Sequence, residues 1–247
     1  DFGYSLMRDA FAQKVVKDNM KIDYQEYQPT VVYINGEYWG IMNIREKINE
    51  HYLALNHKGV DPDNIDLIAN QNEVAVGTID DYQSMLDFIM GNDMSNTSNY
   101  STVKTLMDID NFIDYCIAET YSANYDWPGG NIKFWKERST TGKWRWILFD
   151  VDQSYDLYQD TRRGVCNNSF GLAVQANGTS WPNPEWSTRI LRNLIKNEEF
   201  KNRLLQRLAF HMNTTYEESR QIRILDSLKA QIQSEVQYHI ARWSLPE

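Results

Sequence analysis

The chain has 247 residues and a net charge of −9, with 42% hydrophobic and 24% charged residues. That is an ordinary globular composition, long enough for one large domain or two small lobes sharing a core. The acidic balance, with no dense Lys/Arg block against it, argues against a nucleic-acid partner, and no apolar run reaches the length of a membrane span.

In chain order, residues 5–19 read as a helix, with Ser5 as its cap and Leu6, Ala10, Phe11 and Val15 at helical spacing. Thr30 to Ile34, then Asn35-Gly36, then Glu37 to Ile44 is a hairpin signal, because Asn-Gly suits the positive φ angles of a type I′ turn. Asn49 to His57 predicts a short helix, Asp61 to Asn64 a turn, and Ile65 to Ala69 a strand. Thr78-Ile-Asp-Asp81 has the form of a capping box opening a helix to about Met90. Gly91 to Tyr100 is polar and reads as an exposed loop; a helix over about Asp110 to Ala123 follows, nearly all apolar on one face. Ile132 to Trp135 and Trp144 to Phe149 read as strands joined by a turn at Thr141-Gly142. Gln159 to Pro184 is long, rich in Asn, Ser and Gly, and reads as a mobile functional loop. Trp186 to Trp243 predicts two or three amphipathic helices.

Two motifs carry chemistry. Asp126-Trp-Pro-Gly-Gly-Asn131 sets an Asp and an Asn five residues apart, and Ile147-Leu-Phe-Asp150-Val-Asp152 ends an apolar strand in carboxylates. This is the spacing of phosphoryl-transfer sites: the first Asp orients the attacking hydroxyl, the Asn holds a metal, and the later Asp bridges metal to phosphates. Asp and Asn are also ordinary turn formers, and a Pro-Gly-Gly loop would use them in any case. Alternation along an extended chain places Asp150 and Asp152 on one side and Val151 on the other, where a divalent cation would relieve the like charges. Asp156 is the weaker candidate. Four scattered histidines make no zinc pattern, no Gly-rich phosphate loop is present, and nothing fixes the carboxylate separation that glycoside hydrolysis needs. Cys116 reads as a packed thiol, and a disulfide with Cys166 is left open.

Val31 to Gly40, Ile44-Arg-Glu-Lys-Ile48, Asp126 to Asn131 and Trp146 to Asp152, with His239-Ile-Ala-Arg-Trp243, resemble the spore-coat CotH kinase family over nearly the whole chain. The resemblance implies an α+β, atypical protein-kinase-like fold: a hairpin-containing N-terminal part (1–100) and a mostly helical C-terminal lobe (101–247), truncated at its N-terminus. It implies a secreted or cell-surface enzyme that uses ATP with Mg²⁺ or Mn²⁺ on Ser or Thr of a protein substrate. The acidic charge adds a preference for basic substrates. Asp126 is then the catalytic residue, and Asn131, Asp150 and Asp152 hold the metal. Glu46 faces the nucleotide in the family; Lys47 and Arg8 are further nucleotide-binding candidates. Arg45 and Lys47 share one face of an extended strand and Glu46 the other, so one face cannot present all three. Arg8 pairs either with phosphate or with an acidic neighbour, the latter being favoured. The alternative is a non-catalytic surface or coat module that keeps this fold.

Overall fold

The structure is a computed structural model that describes residues 4–157, 168–175 and 182–245. The first helix, α1 (Arg8–Val16), is shorter than its periodicity suggests. Leu6 holds a positive φ of 62°, which breaks the helical path, so Met7 rather than Ser5 precedes the first turn. The expected hairpin forms from β1 (Tyr27–Ile34) and β2 (Glu37–Arg45), with Asn35 and Gly36 at φ 53° and 83° as a type I′ turn requires. This pair is a sheet of its own, and an isolated hairpin is marginal in water. The C-terminal helix α9 (Glu218–Trp243) supports it. Trp243 Nε1 donates to the Trp39 carbonyl at 2.6 Å, and the Ile41 N–H donates to His239 Nδ1 at 3.0 Å.

Next come α2 (Glu50–Asn56), capped by the Asn49 side chain, a single 3₁₀ turn (Pro62–Asn64) and β3 (Ile65–Ala69), all as expected. The short edge strand β4 (Glu73–Val76) lies too deep in polar sequence to be read beforehand. Helix α3 (Asp80–Gly91) opens without the capping box, because the Thr78 N–H is tied to the buried Asp66 carboxylate at 2.8 Å. The presumed loop before Tyr100 is a correction: α4 (Thr97–Leu106) starts inside it, capped by Asn96. Tyr100 and Val103 bury their side chains, and burial overrides the weak local propensity of Thr, Ser and Asn. Helix α5 (Ile109–Tyr121) is capped by Asp108 and buried on nearly every side.

Strands β5 (Lys133–Glu137) and β6 (Arg145–Ile147) complete an antiparallel sheet in the order β4-β3-β5-β6. Its period of two sorts the core. Ile65, Leu67, Trp135 and Ile147 join Ile48, Tyr52 and Leu53 on one face. Ile68, Phe134 and Trp146 join Tyr82, Trp144 and Phe112 on the other, under α3 and α5. The span 159–184 is not one long loop: α6 (Ser169–Val174) stands within it and buries Ala173. The mobility expected of that span rests largely on residues 158–167 and 176–181, outside the described residues. Three helices then follow, as expected: α7 (Arg189–Leu194), α8 (Glu198–Asn213) and α9. Helices α5 and α8 are pinned by Asp114, whose buried carboxylate takes Arg207, His211 at 3.0 Å and the Lys21 N–H at 2.7 Å. Cys116 is a buried free thiol, and Cys166 lies outside the described residues. Among the described residues no helix is long and apolar enough to cross a membrane.

Candidate active site

Helix α5 ends at Tyr121 and hands the chain to the loop 122–131, which the local sequence folds tightly. The N–H groups of Gly129 and Gly130 both donate to the Asp126 carbonyl, at 3.1 and 2.9 Å. Asn131 then takes φ 56°, a left-handed conformation that Asn tolerates better than most residues. Its side-chain Nδ2 donates to Asp126 Oδ2 at 3.2 Å and to the Asp150 carbonyl at 3.1 Å. One amide therefore gathers both ends of the Asp-x-x-x-x-Asn loop and the acidic end of the second motif.

The return of Asp150 does not follow the extended geometry expected of it. Strand β6 ends at Ile147, and Asp150 has φ 54°. The sidedness survives nonetheless: Val151 is buried, Asp150 is exposed and Asp152 is half-buried. Two sets of bonds hold this segment. The Tyr125 N–H donates to the Gln153 carbonyl and the Tyr155 N–H to the Ser122 carbonyl, at 2.9 and 2.8 Å, lacing it to the loop. From the other side, α1 straps it down. Arg8 Nη1 donates to the carbonyls of Ser154 and Tyr155 at 2.8 and 3.2 Å, and Asp9 Oδ1 accepts from the Val151 N–H at 2.9 Å. Asp9 also forms an ion pair with Arg45 at the end of β2, coupling the hairpin to the same point.

The electrostatics are those of crowded carboxylates. Asp150 sits above the ordinary carboxylate range: partial loss of hydration against its neighbours comes first, and the charges of Asp152, Asp9 and Asp126 add to the effect. Burial holds Arg8 below its usual value, opposed by Asp152, and burial lowers Lys133, opposed by Asp150. Behind the loop, burial pushes the fully enclosed Glu119 up to about 8, with Asp126 and Asp9 adding smaller charge effects.

The candidates divide accordingly. Asp126, Asn131 and Asp150 share hydrogen bonds, and Asp152 lies close enough for its charge to act on Asp150 and Arg8. Arg8 donates to backbone carbonyls two and three residues past Asp152. Glu46 accepts from the Glu26 N–H at 2.8 Å, and Lys47 is exposed at the strand end; neither bonds to the Asp126–Asp150 group. Asp9, Arg45, Glu119 and Lys133 were missed. Asp9 follows Arg8 and Lys133 lies two residues past Asn131, but no spacing rule marks a residue whose partners come from a distant segment.

Among the described residues, no three His, Cys, Asp or Glu side chains form a group able to hold a metal. An all-protein cage therefore does not fit. A nucleotide-bridged cation does fit, since Mg²⁺ is commonly held by one or two carboxylates while phosphates and water complete its shell. The Asp150 carboxylate, beside the charges of Asp152, Asp9 and Asp126, and the Asn131 amide oxygen are the groups that would hold it.

The family model described as CotH kinase protein matches residues 2–247. No curated protein matches the chain. The mixed architecture of helices and antiparallel sheets is consistent with that match over essentially its whole length, and the chain belongs to the CotH kinase family as a kinase-like domain.

Proposed function

We propose that this domain transfers the γ-phosphoryl group of ATP, with Mg²⁺ or Mn²⁺, to a Ser or Thr hydroxyl of a coat or cell-envelope protein outside the cell. The observation that carries the reading is the shared amide of Asn131, which joins Asp126 and Asp150. In the reaction, the acceptor oxygen bonds to the γ-phosphorus as the bond from that phosphorus to the β–γ bridging oxygen breaks. ADP leaves, and the hydroxyl proton passes to the carboxylate of Asp126. Asn131 holds that carboxylate in place and, with Asp150 and Asp152, offers oxygen donors for a cation. When bound, the cation neutralises charge on the phosphates. The protein's share is mostly positioning and electrostatics, as in other phosphoryl transfers. The net charge of −9 favours basic acceptor proteins through long-range steering.

The test is transfer of label from γ-labelled ATP to a panel of basic and acidic proteins, with and without Mg²⁺ or Mn²⁺. It is paired with thermal unfolding in the presence of nucleotide. A nucleotide at a hundred times its Kd stabilises the folded chain by about 2.7 kcal/mol. Cation-dependent stabilisation with transfer supports the reading. Stabilisation without transfer to any protein favours a nucleotide-binding module that has lost turnover.

A further inference from the structure

Among the described residues, Lys133 is set apart from Arg45, Arg8 and Lys136 by its surroundings. Arg45 is paired with Asp9, Arg8 is bonded to two carbonyls, and Lys136, on the opposite face of the same strand, is paired with Asp81. Lys133 is half-buried and, among the described residues, makes no ion pair and no side-chain hydrogen bond. Its Nζ lies over the face of Phe149, 4.1 Å from the ring centroid, and the charge of the neighbouring Asp150 acts on it. The backbone fixes this placement. Lys133 follows the Asp126–Asn131 loop by two residues and is paired across the sheet with Ile147, so its side chain emerges beside the segment leading to Asp150. A half-buried ammonium has lost part of its hydration, and a phosphate oxygen can replace what it has lost. The ring face of Phe149 attracts the charge without using any of its three N–H donors.

We propose that Lys133 is a phosphate-contacting residue of this site, supplying an ammonium to the terminal phosphate of a bound nucleoside triphosphate. The inference rests on the kinase reading above and deepens it. Lysine suits the task as a compact point charge with three donors on a flexible stem, which can follow a phosphate oxygen as geometry changes. Phe149 seats the ammonium over its ring, and the charge of Asp150 acts on it without a direct ion pair. Lys47, the other lysine candidate, is exposed beyond the end of β2.

The experiment is calorimetric titration of Mg²⁺ with ATP, ADP and inorganic tripolyphosphate into the wild type, Lys133→Met and Lys133→Arg. Lys58→Met, at an exposed site, serves as control. Lys133→Met keeps the stem and removes the charge. ATP and tripolyphosphate binding should weaken about tenfold or more, the worth of a charge-assisted hydrogen bond. ADP should weaken by less than about threefold, since it lacks the terminal phosphate. Lys133→Arg should recover most of the loss, and Lys58→Met should bind as wild type. Without ligand, Lys133→Met should melt no lower than wild type, because it removes an unpaired half-buried charge; a lysine with a purely structural role would lower the melting temperature. Equal ATP affinity in wild type and Lys133→Met overturns the assignment and leaves the kinase reading standing. Equal losses for ADP and ATP overturn the assignment to the terminal phosphate. A wild type that binds no nucleotide overturns the kinase reading and this inference with it.

Discussion

The carboxyl of Glu119, fully enclosed at the end of α5, accepts a hydrogen bond at 2.9 Å from the side chain of Asn124. Asn124 Oδ1 in turn accepts from the Asp126 N–H at 3.3 Å, so a buried acid stands two hydrogen bonds behind the candidate catalytic carboxylate. Its second oxygen, Oε1, makes no hydrogen bond of good geometry. A neutral acid suits such a place far better than an anion.

That relationship predicts a pH dependence of stability. Glu119 titrates near 4.5 unfolded and about 8 folded. Below the lower value both states hold the proton, and its contribution to stability is fully present. Between the two, the folded chain keeps a proton that the unfolded chain has released, so stability falls as pH rises, by at most about 1.4 kcal/mol per unit from this group. The loss is complete above the folded value. Glu119→Gln should flatten this slope between pH 5 and 8 in urea titrations; an unchanged slope would show that Glu119 is not the group responsible.

Asp126 and Asp150 should separate by what each loses. Asp150→Asn removes a charged oxygen donor, so cation-dependent ATP binding should fall along with transfer. Asp126→Asn removes the proton acceptor, so ATP should still bind within about threefold while transfer drops by about 10² or more. Calorimetry beside the label-transfer assay makes the comparison. Equal nucleotide binding by wild type and Asp150→Asn would count against the kinase reading of the site.

Asp9→Asn tests the strap across the site. The substitution weakens the ion pair with Arg45 and the bond to the Val151 N–H, two partly buried interactions. The expected cost is about 1–3 kcal/mol, read from the urea midpoint, with faster amide exchange at Val151. Exchange at Val151 no faster than in wild type would mean that α1 does not hold the segment.

Gly40 reports on the bond between hairpin and C-terminal helix. Its φ is 137°, and a Cβ there would come within 2.8 Å of His239 Nδ1, the acceptor of the Ile41 N–H. Gly40→Ala should destabilise by about 2 kcal/mol through backbone strain and displacement of His239. Truncation at Ser234, which removes His239 and Trp243, should loosen the hairpin by the same mechanism. Native-like amide protection in β1 and β2 of both variants would contradict it.

Sequence by itself determined what local chemistry controls. Asn35-Gly36 dictated the type I′ turn because both residues accept positive φ. Asn49, Asp61 and the apolar run Ile65 to Ala69 set their own elements, and the Asp126–Asn131 spacing with the strand before Asp150 marked the group that Asn131 gathers. Tertiary structure decided the rest. Helix α4 forms in polar sequence because Tyr100 and Val103 find a core to enter, and Thr78 forgoes its cap because Asp66, twelve residues earlier, takes its N–H. Asp9, Arg45, Glu119 and Lys133 become visible only when α1, β2, α5 and β5 meet. A residue's hydration and charge environment is set by segments that sequence distance does not reveal, and at this site those segments lie more than a hundred residues apart.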